Sequence, residues 1–174
     1  MHPFSPTSPA LASTCGPTVA TAQHNNCTYE PMLRSWIPPL CYHPAPTQDY
    51  TPFDDRPWYY DHNLTQPITS ATDLDALRTG ANLTAYTNTF HDEHCLYAWR
   101  KLALAVQHRW RWLDTKTMSL AHSEHCAKRI ARFVFSVGYA VGEERFGHTS
   151  TAPIMVQGCV ELPWGREGRW WKFG

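Results

Sequence analysis

The stretch His91-Asp92-Glu93-His94-Cys95 returns further along the chain as His122-Ser123-Glu124-His125-Cys126, so that histidine, acid, histidine and thiol recur in the same order. On an α-helix, residues three or four apart lie within about 60° of each other around the axis. His91, His94 and Cys95 therefore share one face, and His122, His125 and Cys126 share another. The flanking residues extend both faces. After Thr89, read as a cap with Asp92 three residues on, Cys95, Leu96, Trp99, Leu102, Ala103 and Val106 recur at helical spacing to about His108. Asp114 is read as the cap of a second helix, along which Met118, Ala121, His122, His125, Cys126, Ile130 and Phe133 form a connected stripe. Only the run Arg109-Trp110-Arg111-Trp112-Leu113 separates the two, which predicts an antiparallel hairpin. With the first helix ending near Leu104 and the second starting near Thr115, His94 faces His125. His91 and His122 are then roughly 9 Å apart along the axis, at 1.5 Å per residue.

Working outward, residues 29–67 carry a proline every few positions, as in SWIPPLCYHPAPTQDYTPFDDRPWYYDHNLTQP (35–67). That spacing forbids long helices and predicts an extended, aromatic-studded segment that wraps the hairpin without forming its core. Asp73 to Arg78 reads as a short helix ended by Gly80, NLTAYTNTF (82–90) as a short strand, and APIMVQGCVEL (152–162) as another. Residues 1–26 are rich in Pro, Ser and Thr without periodicity and read as a flexible lead-in. The expected organisation is that lead-in, one domain over 27–162 and an exposed tail over 163–174. The fold class is mainly α: a helical hairpin core carrying two HxxHC motifs, with a few short strands.

A chain of 174 residues suits one domain. Its 15 basic and 15 acidic residues cancel, which removes any bulk electrostatic reason to expect nucleic acid or an anionic membrane face as a partner. Eight Trp, eight Tyr and seven Phe point to a core built on rings. Six cysteines and the sequons Asn26-Cys27-Thr28, Asn63-Leu64-Thr65 and Asn82-Leu83-Thr84 favour an oxidising lumen and surface carbohydrate. Chance tripeptides in Asn/Thr-rich loops are the alternative. No window reaches the roughly eighteen apolar residues of a membrane helix, and the first residues lack the basic start and apolar run of a signal peptide.

Imidazole suits copper, zinc, iron and nickel, and thiolate suits zinc or cuprous copper, so the motifs make His91, His94, His122 and His125 candidate metal ligands without naming the ion. Cys95 and Cys126 are further ligands or halves of disulfides, with each other or with Cys27, Cys41 or Cys159. If the thiols are oxidised, four histidines remain, a set more at home with copper than with structural zinc. Glu93 and Glu124 are candidates for fixing a ring tautomer from behind, or are simply solvated. The competing reading is histidines satisfied within a polar helix interface, beside a plain inter-helix staple.

The chain resembles the fungal UstYa-like family of mycotoxin biosynthesis proteins, and in detail its phomopsin-associated branch. The marks are the paired HxxHC motifs, the continuation Cys95-Leu96-Tyr97-Ala98-Trp99-Arg100-Lys101, and the upstream SWIPPLCY and PFDDRPWYYDHNLT. The resemblance covers about residues 29–130. It implies oxidative tailoring of a peptide or other small metabolite by cyclisation, desaturation, hydroxylation or halogenation, with copper as the metal, zinc less so, and the four histidines as the functional residues. Members carry an N-terminal membrane anchor before a lumenal domain, and no such anchor is visible in this chain; the expected location is the secretory lumen or the exterior.

Two functions compete. One is a copper-dependent oxidoreductase, in which Tyr97 is a conceivable hydrogen donor and Trp58-Tyr59-Tyr60 a conceivable substrate groove, both residue sets being equally readable as packing. The other is a non-catalytic accessory module that binds a peptide or a partner oxidase, as a homo- or hetero-oligomer, through Trp110, Trp112, Arg109, Arg111 and the closing Arg169-Trp170-Trp171-Lys172.

Overall fold

The computed structural model describes residues 11–139, 150–151 and 154–162, with side chains over 13–132 and 154–162. Within them the chain runs through strand β1 (Leu11–Thr14), helix α1 (Val19–His24), strands β2 (Thr28–Glu30) and β3 (Ser35–Ile37), helix α2 (Ala71–Thr79) and strand β4 (Tyr86–Thr87). Helix α3 (Phe90–Gln107), strand β5 (Trp112–Asp114), helices α4 (Thr115–Met118) and α5 (Leu120–Tyr139), and strands β6 (Ser150–Thr151), β7 (Met155–Val156) and β8 (Gly158–Glu161) follow. The fold is mainly helical, with short strands grouped as β1-β8-β5, β2-β3-β7 and β4-β6. The expected tail, 163–174, lies outside the described residues.

The long helices α3 and α5 pack antiparallel: Asp92 pairs with Arg129 and Cys95 is disulfide-bonded to Cys126, so numbers rise along one helix as they fall along the other. Their connection is not the bare loop expected. β5 pairs with β8, and Asp114 caps α4 instead of α5, accepting from the Thr117 amide at 2.8 Å. Ser119 then turns extended and breaks the helix, and its hydroxyl takes the His122 amide at 3.2 Å as the true start of α5. Thr89 does precede α3, but with φ at +64° and no side-chain bond to the helix; its carbonyl does the capping, taking the Asp92 and Glu93 amides.

The proline-rich segment was expected to wrap the core, and it supplies the core instead. Met32, Leu33, Ile37, Cys41, Phe53 and Trp58 are buried together with Phe90, Tyr97 and Ala98 of α3. Single turns of 3-10 helix at Pro31–Leu33, Pro39–Cys41 and Ala45–Thr47 let the chain change direction where prolines deny it a longer helix. Residues 11–26 also depart from the expected lead-in. β1 pairs with β8, Thr18 and Thr21 form a capping box on α1, and a disulfide joins Cys15 to Cys27. Composition suggested disorder there, but pairing and cross-linking offset the ordering entropy. The expected strand over 152–162 is two strands in two sheets, β7 beside β3 and β8 between β1 and β5.

Beneath α3 lies a buried ionic knot. Lys101 Nζ is 2.6 Å from Glu30 Oε2 and 2.9 Å from Asp114 Oδ2, with all three side chains fully enclosed. Tyr97 donates its hydroxyl to Glu30 Oε1 and meets the Thr47 hydroxyl at 3.0 Å. The knot ties β2, α3 and the start of α4 into one body, and it accounts for Tyr97 as structure.

Helix α2 ends as expected at Gly80, whose φ of +73° is left-handed and whose amide returns to the Ala76 carbonyl. A Cβ on Gly80 would run into the Tyr29 ring. Gly80→Ala therefore combines a disfavoured backbone with overpacking and is expected to cost about 2–4 kcal/mol, read from urea midpoints. A cost under about 1 kcal/mol would mean that the ring moves aside freely.

Candidate metal-binding site

The doubled motif places its histidines at the first turns of α3 and α5, where the helices meet. The expected facing of His94 and His125 is replaced by two other pairs. His91 Nε2 is 2.9 Å from His125 Nε2, and His94 Nε2 is 3.0 Å from His122 Nε2. The difference follows from the late start of α5 at Leu120 together with the disulfide that fixes Cys95 against Cys126. His91 and His94 lie edge to face with ring centroids 6.2 Å apart, so the pairs are neighbours.

The His94 ring is aimed by its surroundings. His94 is buried, and its Nδ1 donates to the Met32 carbonyl at 2.5 Å, which leaves Nε2 of the neutral ring with a bare lone pair facing His122. Burial holds the His94 pKa down to about 2, with the Lys116 charge acting in the same direction. Burial holds His91 down to about 4, assisted by the Arg129 charge. His122 is also lowered, again by burial first and then by Lys116, while the Lys116 backbone acts the other way as an acceptor. The imidazolium forms of His91, His94 and His122 are thus disfavoured. Ring nitrogens gathered from opposite helices are suited to a cation that forms coordinate bonds.

Lys116 was not anticipated. Its Nζ donates to the Leu33 carbonyl at 2.7 Å, one residue after the carbonyl that holds His94, so one turn aims both a ring and an ammonium. Enclosure lowers its pKa to about 8. Lys116→Met is expected to raise the titration midpoints of His94 and His122, followed by their ring-proton signals. Unmoved midpoints would show the ammonium to be too well screened to matter.

The acids sit elsewhere. Glu93 is ion-paired with Arg56 at 2.5 Å, and Glu124 is exposed on α5. Cys95 and Cys126 form the disulfide with each other, and Cys41 pairs with Cys159, so thiolate is withdrawn from the donor set. Trp58 is a core residue that touches Phe90 edge to face, and Tyr60 is tied to Asp73; neither lines the histidines. Trp110 stacks on His43 at 3.6 Å, remote from the motifs in sequence and bonded into the β5 region.

Among the described residues, no group of three or more His, Cys, Asp and Glu converges on one metal-sized point. The fit is to pairs. The residues that would hold an ion are His91 with His125 and His94 with His122, whose Nε2 atoms lie 2.9 and 3.0 Å apart.

The chain is thus a disulfide-stapled, mainly helical domain with paired histidines between its two long helices. It is similar to phomopsin biosynthesis cluster proteins B and B′ of Diaporthe leptostromiformis, with 31% identity to each over 160 residues, covering 85% of this chain and 46% of theirs. The chain spans about half the length of these curated relatives. No protein-family profile matches it, and no solved structure does.

Proposed function

We propose that this chain is a UstYa-like oxidoreductase of fungal secondary metabolism that binds copper at His91, His94, His122 and His125. The carrying observation is the pairing of four Nε2 atoms, each pair from two helices, at 2.9 and 3.0 Å. All-nitrogen donors, with the nearby sulfurs oxidised, favour copper over structural zinc. The similarity to phomopsin-cluster proteins supports a substrate that is a peptide or other small metabolite. Copper supplies one-electron exchange with dioxygen when bound. The protein's part is to orient: the Met32 carbonyl fixes the His94 tautomer, the Cys95–Cys126 disulfide holds the helices in register, and burial keeps His91 and His94 unprotonated. No helix among the described residues is long and apolar enough to cross a membrane. Three disulfides support residence in the secretory lumen or outside the cell.

A second reading is a non-catalytic accessory module. It is favoured by the gathering of the histidines only two by two and by a disulfide that already staples the helices without metal. Copper titration of the purified protein separates the two. One or two ions per chain, lost together with dioxygen uptake in the His91→Ala, His94→Ala double variant, is the outcome expected of the enzyme. Failure to bind copper, or zinc released only on unfolding, would establish the module.

A further inference from the structure

An open groove of about 370 Å³ lies between the start of α1 and strand β7, and no motif residue lines it. Its lining is largely aliphatic, from Pro17, Val19, Ile154 and Val156, with Thr18 at its edge and Asn82. That volume is at the small end for a ligand site. Asn82 is also the acceptor of the sequon Asn82-Leu83-Thr84. The Asn82 and Thr84 side chains are exposed, and the Asn82 amide makes no side-chain hydrogen bond among the described residues. Leu83 between them packs partly against the core, and its carbonyl accepts from Arg34 at 2.9 Å, which anchors the backbone beneath the acceptor.

The other two sequons lack this setting. Asn26 is exposed but directly precedes the disulfide-bonded Cys27, and Asn63 sits in an exposed turn where the Thr65 hydroxyl is engaged by Asp61 at 3.0 Å. Neither of them lines the groove.

We propose that Asn82 carries an N-linked glycan and that its first N-acetylhexosamine seats in this groove, covering Val19, Ile154 and Val156. The amide Nδ2 forms a bond to the anomeric carbon of a lipid-diphosphate-linked oligosaccharide. The carbon–oxygen bond to the diphosphate breaks, the lipid diphosphate leaves with that electron pair, and the amide proton passes to a base of the transferase. No oxidation is involved. The sugar's acetyl methyl and apolar ring face meet aliphatic side chains, and the rest of the glycan points to solvent. The inference rests on the lumenal location proposed above, and on nothing about the metal.

The test is secretion of the chain behind a signal sequence from a fungal host, followed by peptide mapping. The expected result is hexosamine on the Asn82 peptide, lost in Thr84→Ala. Glycan at Asn63 with none at Asn82 would overturn the assignment while leaving lumenal entry intact, and no glycan anywhere would overturn both. Seating is read separately. Trimming to the first sugar with an endoglycosidase should leave Tm unchanged, whereas Asn82→Gln, secreted in parallel, should melt about 2–4 °C lower. Equal Tm values for the trimmed protein and Asn82→Gln would overturn the seated sugar.

Discussion

Lys101→Met is expected to destabilise the fold by about 3–5 kcal/mol, the cost typical of removing one partner from a buried charged group. Burial acts to lower the Lys101 pKa, but the Asp114 and Glu30 charges outweigh it and the net shift is upward. Burial raises Glu30 despite Lys101, whereas Asp114 opposes its own burial with Lys101 and with two bonds from Thr117 and is net lowered. Methionine fills the same volume but leaves two carboxylates without their cation. Glu30 would then take up a proton, and Asp114 would lose much of what keeps it ionised, although it must still cap α4. Adding Glu30→Gln to Lys101→Met should recover part of the loss, because an amide can still accept from Tyr97. Urea denaturation of the single and double variants decides; a loss below about 1 kcal/mol for Lys101→Met would show the knot to be weakly coupled to the fold.

Acid should unfold the metal-free protein through its histidines. In the unfolded chain each imidazole takes up a proton near its ordinary pKa of about 6.5. In the fold, burial holds His91 near 4 and His94 near 2. Between about pH 6.5 and 4 the unfolded chain binds more protons, so stability falls with pH by up to about 1.4 kcal/mol per unit for each such histidine. His91 is half-exposed, and solvent screening discounts its share. Above about pH 6.5 both states are neutral at these rings and the slope vanishes. His94→Phe should flatten the profile relative to the parent, isolating this contribution from the carboxylates that titrate lower down. An unchanged profile would mean that His94 is protonated in the fold. A cation held by His91 and His94 displaces few protons from these two rings at neutral pH, so they should add little to any loss of its affinity on acidification to about pH 5.

Helical spacing was enough to find α3 and α5, and Gly80 to end α2, because these signals are local. The histidines were legible as a set for the same reason. Their partners were not: a one-turn change in register decides which rings meet, and that register depends on where Ser119 starts α5 and on which cysteine Cys126 reaches. The Met32 carbonyl carries no side-chain signal, and Lys116 looks like any surface lysine until the turn at Pro31–Leu33 folds over it. The proline-rich segment misled because proline frequency reports what the backbone cannot do and says nothing of whether its Trp, Phe and Ile point inward. The N-terminal strand was invisible for a related reason: LAST is ordered by its pairing with β8, far along the chain.

That pairing constrains the order of events during synthesis. The central strand of the sheet, β8, is made after both of its neighbours, and Cys159 follows its partner Cys41 by 118 residues. Cys15 and Cys27, only 12 apart, can close as soon as they emerge. Cys41 must wait as a free thiol while Cys95 and Cys126 pass it on their way out of the ribosome. A chain built this way completes this sheet only once Gly158–Glu161 has emerged, and it calls for a thiol-exchange catalyst to undo early mispairing.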